Sequence, residues 1–214
     1  MNNLQFIDLG FKDYKETWKL QEEILEKGKE NKAQGLDVEN KILFVEHNNI
    51  YTLGKSGDIS NLLTHAECLR VDRGGDITYH GPGQLVAYPI LDLEAFNMGI
   101  KDYVYNLEKV VIETLKDYDI IGDRLKGATG VWLDKNSANA RKICAIGIHC
   151  SRFITTHGFA LNVNTDLSYF DKINPCGFKD KGVTSIKTEL AKNEDVNMND
   201  IKLSIQKNFN NIFK

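Results

Sequence analysis

Cysteine and proline are both scarce in this sequence. Its 214 residues include three prolines and four cysteines, and no two cysteines have the C-x-x-C spacing that is typical of zinc and redox motifs. A chain of this length buries enough surface to fold without disulfide bonds, so we expect reduced thiols in a cytoplasmic protein. The sequence has no internal repeat and no linker rich in proline, glycine or serine. We therefore predict one domain over residues 1–214 rather than two small ones.

Long apolar runs are also missing. No stretch approaches the roughly 18 to 20 apolar residues that span a bilayer, and the first residues lack the basic-then-apolar pattern of a signal peptide. The formal net charge of −3 gives no overall attraction to nucleic acid or to anionic membranes. We therefore expect no membrane-spanning segment and no nucleic-acid partner.

Positive charge is nevertheless concentrated in one part of the chain. Residues 124–187 contain ten Lys or Arg and only four Asp or Glu. Two interpretations are open at this point. The stretch is either an ordinary solvated surface or a face that docks acidic protein partners, in which case added salt would weaken the attraction.

Hydrophobic periodicity predicts helices that are mixed with runs of neighbouring strands. Helical spacing is found over residues 14–32, 100–118 and 199–212. Strands are predicted over residues 4–9, 41–47 and 84–93 and in the segments GVWLD, RKICAIGIHC and THGFALNV, while IYTLG is extended and leads into a loop at residues 55–58. This order predicts an α+β fold with a mixed, mostly antiparallel sheet that is flanked by helices.

The first of three segments with unusual chemistry is RGGDITYHGPGQ, residues 73–84. Four glycines and a proline in twelve residues indicate a backbone that turns tightly and lets another group approach closely. Arg73 and His80 add polar side chains. Taken alone, the segment also fits a plain surface loop, and it is not a phosphate-binding loop because the Gly-Lys-Ser/Thr ending is absent.

The second segment is RKICAIGIH, residues 141–149. In a strand, Lys142, Cys144 and Ile146 would share one face and the intervening residues the other. A lysine at the start of an apolar strand is commonly a solvated strand end. It can instead act as a base where burial or a neighbouring charge lowers its pKa.

The third segment is HGFALNV, residues 157–163, which is followed by NPCG, residues 174–177. Proline fixes the approach to Cys176 and glycine permits a sharp exit, so the sulfur can be presented at the apex of a loop. Many single cysteines are simply small buried hydrophobic residues. A reactive Cys176 requires a nearby cation or imidazole that stabilises its thiolate.

Two competing sites use the same residue types. The metal-ligand candidates are Cys144, His149, Cys150, His157 and Cys176. Neighbouring residues 149 and 150 would point to opposite faces of a strand and no two-residue ligand spacing is present, so we predict no metal site. A papain-like cysteine–histidine pair is the other alternative, but the sequence that surrounds such nucleophiles is absent.

Taken together and in this order, RGGDITYHGPGQ, RKICAIG, HGFALNV and PCG followed by GVTSI resemble the lipoyl(octanoyl) transferase family. The resemblance covers residues 43–186. It implies the fold of biotin protein ligases and lipoate–protein ligases, with the acyl chain in a tunnel beside the sheet. It also implies that Cys176 is the acyl-accepting nucleophile and that Lys142 activates it. The residues that it implies for the acyl pocket are Arg73, Gly74, Gly75, Asp76, Ile77, Thr78, Tyr79, His80, Ala145, Ile146, Gly147, Gly158, Phe159 and Ala160.

The activity implied by the resemblance belongs to lipoate biosynthesis and protein lipoylation. An octanoyl group passes from octanoyl-acyl carrier protein to a lysine of a lipoyl domain through an acyl-cysteine thioester, without ATP or a cofactor. The implied acceptors are lipoyl domains of 2-oxoacid dehydrogenase complexes or the glycine cleavage H protein. Cys144 stands where that family usually has a small residue such as alanine, which would put a second thiol on the predicted face of Lys142.

Two alternatives belong to other classes of function. An ATP-dependent lipoate or biotin ligase would use an acyl-adenylate on the same fold and would need no nucleophilic cysteine. A non-enzymatic module that holds an acylated carrier would need no reactive thiol either. The Pro-Cys-Gly setting of Cys176 argues against both.

Overall fold

The computed structural model describes residues 3–174 and 181–214. The predicted nucleophile Cys176 lies outside the described residues. In chain order, the strands are β1 (Leu4–Phe11), β2 (Asn40–Glu46), β3 (Ile50–Leu53), β4 (Cys68–Arg70), β5 (Ile77–His80), β6 (Gln84–Ile90), β7 (Asp123–Leu125), β8 (Ala128–Leu133), β9 (Arg141–Ser151), β10 (Ile154–Asn162) and β11 (Gly182–Val183). The helices are α1 (Tyr14–Ala33), α2 (Ile100–Lys116), α3 (Ile186–Glu189) and α4 (Met198–Ile212), with short 3₁₀ helices at Ile59–Asn61 and Leu167–Lys172.

The long predicted helices and strands are confirmed, with ends that differ by a few residues. The short strands β4, β5, β7 and β11 and the short helix α3 had no sequence prediction, because two to four residues are too few to show a period. None of the helices in the described ranges is long and apolar enough to cross a membrane.

Within the described ranges, the main sheet has eight strands in the order β1-β2-β6-β10-β9-β8-β7, with β11 paired to β9. The pairs β1–β2 and β11–β9 are parallel and the remaining pairs are antiparallel. A smaller sheet has the order β4-β3-β5. The prediction of an α+β fold with a mixed, mostly antiparallel sheet is confirmed.

Helices cover both faces of the main sheet. On one face, Leu107 of α2 and Phe209 of α4 belong to the same buried apolar cluster as Phe44 and Ala87 of the sheet. On the other face, Leu25 of α1 packs in a second cluster with strand residues that include Val86, Tyr88 and Ala160. Alternate residues of β6 and β10 therefore supply the two cores, as strand geometry requires.

Strand β9 carries an extra residue opposite β8. Val131 pairs with Cys144 and the next residue, Trp132, pairs with Lys142, so Ile143 has no counterpart on β8. An extra residue of this kind is a β-bulge, and it interrupts the alternation of side chains along the strand. The side chains before and after Ile143 consequently do not follow the pattern expected of a regular strand.

Candidate functional site

A cavity of about 410 Å³ lies between the main sheet and the smaller sheet. Its wall from the main sheet consists of Gln84, Val86 and Tyr88 of β6, Ala128 and Thr129 of β8, Lys142, Ala145, Ile146 and Gly147 of β9, His157, Gly158, Phe159, Ala160 and Asn162 of β10, and Val183 of β11. The rest of the wall consists of Tyr14, Ser56, Arg73, Gly75, Asp76, Ile77, Thr78, His80, Gly127 and Phe170.

The three segments singled out in the sequence meet at this cavity. Of the residues that the resemblance implied for the acyl pocket, all except Gly74 and Tyr79 line it. Gly74 instead donates its N–H to the carbonyl of Ile148 at 2.9 Å. Tyr79 points the other way, with its ring stacked on Tyr169 at 4.7 Å between centroids and its hydroxyl donating to Asn49 at 2.7 Å.

Arg73 fixes the glycine-rich loop to the smaller sheet. The buried guanidinium donates through Nη1 to the carbonyl oxygens of Gly74 at 3.0 Å and Asp76 at 2.9 Å. Through Nη2 it donates to the carbonyl oxygen and the hydroxyl of Thr52 on β3, at 2.8 and 2.9 Å. Because these acceptors belong to the protein, Arg73 shapes the wall of the cavity as well as lining it.

The side chain of Asp76 joins the glycine-rich loop to the segment at residues 58–61. Its Oδ1 accepts from the backbone N–H of Asp58 at 3.1 Å and of Ile77 at 2.7 Å. Its Oδ2 accepts from the side-chain amide of Asn61 at 2.7 Å. Both carboxylate oxygens of Asp76 therefore accept hydrogen bonds from the protein and stabilise the conformation of this loop.

A chain of buried hydrogen bonds leads from His80 to the strand of Lys142. His80 Nδ1 donates to Gln84 Oε1 at 2.8 Å, and Gln84 Nε2 donates to Asn162 Oδ1 at 2.9 Å. Asn162 Nδ2 donates to the carbonyl of Thr184 at 3.0 Å, and the N–H of Thr184 donates to the carbonyl of Lys142 at 3.0 Å. Since an amide oxygen only accepts, the ring proton of His80 is on Nδ1, and burial lowers the pKa of this histidine below its usual value.

Lys142 is a buried residue of the cavity wall and not a solvated strand end. Its side chain is 7% exposed, and its Nζ lies 4.8 Å from the centre of the Trp132 ring. An ammonium over an aromatic face is stabilised by about 0.5–2 kcal/mol. The bulge at Ile143 places Lys142 on the cavity side together with Ala145.

Cys144 lies in the core on the side of α2 and α4 and is fully buried. The prediction that Cys144 shares a strand face with Lys142 is therefore wrong, and the physical reason is the bulge between them. Burial raises the pKa of the Cys144 thiol, and it also raises the pKa of Cys68 and Cys150. A nucleophilic thiolate is thus disfavoured at all three described cysteines.

Tyrosine and histidine side chains form the end of the cavity next to α1. Tyr88 donates its hydroxyl to His47 Nε2 at 2.8 Å, and His47 Nδ1 donates to the carbonyl of Lys12 at 2.8 Å. Burial lowers the pKa of His47 to about 4 and raises the pKa of Tyr14 to about 12. Both groups are therefore neutral near pH 7.

His157 lies at the same end and is held from two sides. Its Nε2 donates to Asp72 Oδ1 at 2.7 Å, and its backbone N–H donates to Gln21 Oε1 at 2.8 Å. The hydrogen bond from His157 lowers the pKa of Asp72 to about 2, so the carboxylate is ionised near neutral pH. His157 has a φ of 56°, which is uncommon for any residue other than glycine.

Sequence reasoning missed several residues of the wall, among them Tyr14, Tyr88, Gln84 and Asn162. Gln84 and Asn162 carried a usable signal, since a polar side chain inside an apolar strand is expected to have a buried partner. The tyrosines carried none, because tyrosine is common in cores. Within residues 3–174 and 181–214, no three His, Cys, Asp or Glu side chains cluster so that they could bind a metal ion.

The fold is similar to that of solved lipoate and biotin protein ligases. P. falciparum LipL1 in complex with lipoate has a TM-score of 0.72 and 13% identity over 99% of this chain. The match covers 62% of LipL1, so the present chain spans less than two thirds of that protein. The bipartite lipoate protein ligase of Thermoplasma acidophilum has a TM-score of 0.67 and 14% identity, over 99% of this chain and 84% of that chain. The predicted ligase-like fold is confirmed.

The sequence identifies the family within this class. The family described as lipoyl protein ligase A/B catalytic domain matches residues 13–210. An octanoyltransferase of Flavobacterium psychrophilum is 50% identical over 98% of this chain and 96% of its own length. An octanoyltransferase of Christiangramia forsetii is 49% identical over 97% of this chain and 94% of its own length. The chain therefore belongs to the lipoyl protein ligase A/B catalytic domain family, and the resemblance drawn from its motifs is confirmed.

Proposed function

We propose that the protein is an octanoyltransferase of protein lipoylation and that residues 1–214 form one catalytic domain. It transfers an octanoyl group from acyl carrier protein to a lysine of a lipoyl domain. The observation that carries the proposal is the buried Lys142 beside an acyl-sized cavity, in a chain 50% identical to an octanoyltransferase. The archaeal lipoylation system of the Thermoplasma ligase includes its E2 lipoyl domain, which supports a lipoyl domain as the acceptor here.

The cavity binds the acyl chain along apolar walls. Ile77 of the smaller sheet and Val86 and Ala160 of the main sheet are among the apolar residues that line it. Each methylene group that leaves water for such a surface contributes about 0.8 kcal/mol. The carbonyl end of the chain lies near Lys142, where the cavity reaches the surface at the exposed residues Gly127 and Thr129.

In the first half-reaction, Lys142 takes the proton of Cys176 and stabilises the resulting thiolate. The thiolate attacks the carbonyl carbon of the donor thioester, so that a new carbon–sulfur bond forms and the bond to the carrier sulfur breaks. The carrier thiolate then takes the proton from Lys142. The role of Cys176 rests on its sequence setting, and it is supported by the burial that raises the pKa of Cys68, Cys144 and Cys150.

In the second half-reaction, the amine of the acceptor lysine attacks the acyl-cysteine. A carbon–nitrogen bond forms, the bond to the Cys176 sulfur breaks, and the amine proton passes to Lys142. This step restores the thiolate and the ammonium of the starting pair. The chemistry requires neither ATP nor a cofactor, because the donor thioester supplies the free energy for the amide.

The alternatives are an ATP-dependent ligase and a non-enzymatic module that holds acylated carrier protein. The ligase has to be tested because a lipoate–protein ligase A bound with ATP has a similar fold, with a TM-score of 0.62. The intact mass of the protein, measured after mixing with octanoyl-acyl carrier protein and no acceptor, separates the three.

We expect an octanoyl adduct on the parent without ATP, an adduct on Cys144→Ala, and none on Cys176→Ala. Cys144→Ala is the matched control because it removes a thiol that is buried in the core. An adduct that required ATP and free octanoate would favour the ligase. An unmodified protein that retained the carrier would favour the binding module, and an adduct lost only in Cys144→Ala would contradict the choice of nucleophile.

A further inference from the structure

Strand β8 forms the surface on which the side chain of Lys142 lies. Val131 and Leu133 belong to the apolar core on the side of α2 and α4. The residues that alternate with them, Gly130 and Trp132, therefore belong to the opposite face of the strand. A Cβ at Gly130 would lie 3.6 Å from Lys142 Cδ, and Lys142 Nζ lies over the Trp132 ring, 4.8 Å from its centre. The alkyl part of the lysine thus passes beside the glycine, and its ammonium group ends over the indole.

The indole of Trp132 is held in one orientation. The side chain is 1% exposed, and its Nε1 donates to the carbonyl of Ala128 on the same strand at 2.8 Å. A buried indole N–H requires such an acceptor, so rotation of the ring would break this bond without replacing it. Main-chain pairing holds the residue between Asp123 of β7 and Lys142 of β9. The ring therefore presents a fixed face at the place where the lysine side chain ends.

An aromatic face distinguishes the two protonation states of a lysine. The π-electrons place negative charge on the face of the ring, which attracts an ammonium and not a neutral amine. Tryptophan has the strongest attraction of this kind among the aromatic side chains, and removal from water increases it. Lys142 gains a proton in each of the two proposed half-reactions. The face of Trp132 consequently stabilises the state that Lys142 reaches when it accepts a proton.

Other charged and titratable groups also pack around Lys142. They include Cys144 on β9, Asp123 on β7, Glu108 on α2, Glu189 on α3, Arg73 and His80 elsewhere on the cavity wall, and the proposed nucleophile Cys176. Glu108 accepts from the N–H of Gly130 at 3.0 Å, and Glu189 accepts from Arg141 Nε at 2.7 Å. Substitution of Trp132 leaves all of these groups in the protein. A change in the pH dependence of such a variant therefore reports on the ring.

We propose that Trp132 is a positioning residue for Lys142 and that its ring sets the pH range in which acyl transfer proceeds. The proposal rests on the acyl transfer proposed above. The ring keeps the Lys142 ammonium at the end of the cavity where the acyl carbonyl lies. In the second half-reaction, the neutral amine of Lys142 takes the proton of the attacking amine, and the ring then holds the ammonium that forms.

Single-turnover transfer from pre-acylated enzyme to a lipoyl domain, measured across pH, tests this role. Transfer requires Lys142 without its proton, so the rate rises with pH. Without the ring, the ammonium is less stable and releases its proton at lower pH. The half-maximal pH should therefore fall by roughly 0.5 to 1.5 pH units in Trp132→Leu, and by less in Trp132→Phe, which keeps a weaker aromatic face. The lipoyl-domain concentration at half-maximal rate should not change, because Trp132 is buried.

Fluorinated tryptophans separate the charge of the ring from its shape. Fluorine withdraws electron density from the ring face and adds little volume, so the half-maximal pH should fall further with each added fluorine. The chain has two tryptophans, Trp18 and Trp132, which gives a matched pair of backgrounds. The effect should persist in Trp18→Phe, where only Trp132 is fluorinated, and should be absent in Trp132→Phe. This series also keeps the test available if Trp132→Leu fails to fold.

The fluorine resonance of 5-fluorotryptophan at position 132 gives a second measurement, which does not depend on turnover. In the Trp18→Phe background, we expect the resonance to shift as Lys142 titrates, and this step should be absent when Lys142→Met is added. A resonance that behaves alike in both proteins, or a half-maximal pH that fluorination does not move, would show that Trp132 only packs beside Lys142 and would overturn the proposal. Failure of octanoyl transfer would contradict the proposed function instead, and the resonance would still test the contact.

Discussion

Burial determines the chemistry of individual side chains around the cavity. Lys142 is 7% exposed and its Nζ lies 4.8 Å from the centre of the Trp132 ring, so the residue is largely shielded from water. His47 is fully buried between Tyr88 and the carbonyl of Lys12, and its pKa is lowered to about 4. Burial therefore keeps His47 neutral near pH 7, which has a consequence for the stability of the protein.

Lys142→Arg should separate the two half-reactions. Arginine keeps a positive charge that stabilises the thiolate, so acylation should continue at a reduced rate. It does not release a proton near neutral pH, so it does not deprotonate the attacking amine. Positioned base catalysis is typically worth about 10²- to 10⁴-fold, which is the loss expected in the second step. Single-turnover transfer from pre-acylated enzyme to a lipoyl domain measures it. Transfer at the parental rate would mean that Lys142 acts only through its charge.

His47 should make the protein less stable in mild acid. The unfolded state binds a proton on this histidine below about pH 6.5, and the folded state does so only below about 4. Because the unfolded state binds more protons in this window, the free energy of unfolding decreases as the pH falls from 6.5 toward 4, by roughly 3 kcal/mol from His47. Urea denaturation across this pH range measures the slope.

The matched controls for this pH dependence are two histidine variants. His47→Gln removes the titrating group and should flatten the slope in that window. His65 is exposed in a loop, so His65→Gln should leave the slope unchanged. Equal slopes in the parent and in His47→Gln would show that another group, such as the buried His80, dominates the acid sensitivity.

Two irregularities of the strands create the site at the scale of secondary structure. The bulge at Ile143 turns Lys142 to the cavity side of β9. On β10, Gly158 allows β6 to approach closely, because a Cβ at this position would lie 2.2 Å from the carbonyl oxygen of Ala87. Without the bulge, Lys142 would not lie on the cavity side of β9. With a larger residue at position 158, β6 and β10 could not approach each other as closely in the cavity wall.

Gly158→Ala should therefore destabilise the protein. The added methyl group would meet the Ala87 carbonyl oxygen at 2.2 Å and Pro89 Cδ at 2.5 Å, and the strand pair has to separate to admit it. Overpacking of this kind typically costs about 1–3 kcal/mol. Urea denaturation measures the change. The control is Gly182→Ala, whose nearest neighbour would be Arg141 Cβ at 3.5 Å, so we expect a change within about 0.5 kcal/mol. Equal effects of the two variants would contradict the close approach of β6 and β10.

Across the whole molecule, ion pairs reduce the positive charge that the sequence concentrates in residues 124–187. Within residues 3–174 and 181–214, at least four basic side chains of this stretch form ion pairs with carboxylates. The pairs are Arg124–Glu108, Lys135–Asp123, Arg141–Glu189 and Lys187–Asp195, at 2.9, 2.6, 2.6 and 2.8 Å. The surface available to an acidic partner is consequently more restricted than the sequence count suggested.

We expect Lys126, an exposed residue beside Gly127 at the opening of the cavity, to take part in docking the proposed carrier protein. Lys126→Glu should raise the KM for octanoyl-acyl carrier protein several-fold and leave the KM for a small octanoyl thioester unchanged. Raising the salt concentration should reduce the difference between the parent and the variant.

The control for this docking prediction is Arg152→Glu. Arg152 is exposed at the turn between β9 and β10, about ten residues along β9 from Lys142, which is roughly 30 Å away. The same change of charge should have little effect there. Equal losses for the two variants would indicate long-range attraction and not a docking face at the opening.

The sequence by itself predicted the long helices and strands and the three segments that meet at the cavity. Helical and strand periods predicted the long elements because each repeats over many residues. The segments at residues 73–84, 141–149 and 157–163 stood out because glycine, lysine and histidine were placed where a plain strand or loop does not need them. Their order was sufficient to identify the family. The role of Cys176 stays a prediction from its Pro-Cys-Gly setting.

Only the tertiary structure decided which side of β9 Lys142 occupies, since a bulge is a property of the pairing with β8 and leaves no period in the sequence. It also decided that Gln21 of α1 lies beside His157, because their hydrogen bond joins residues 136 positions apart. Likewise, the basic residues of 124–187 form ion pairs with carboxylates that lie outside this stretch of the sequence. Contacts between distant residues form when the sheet and helices pack together, and local sequence patterns carry no record of them.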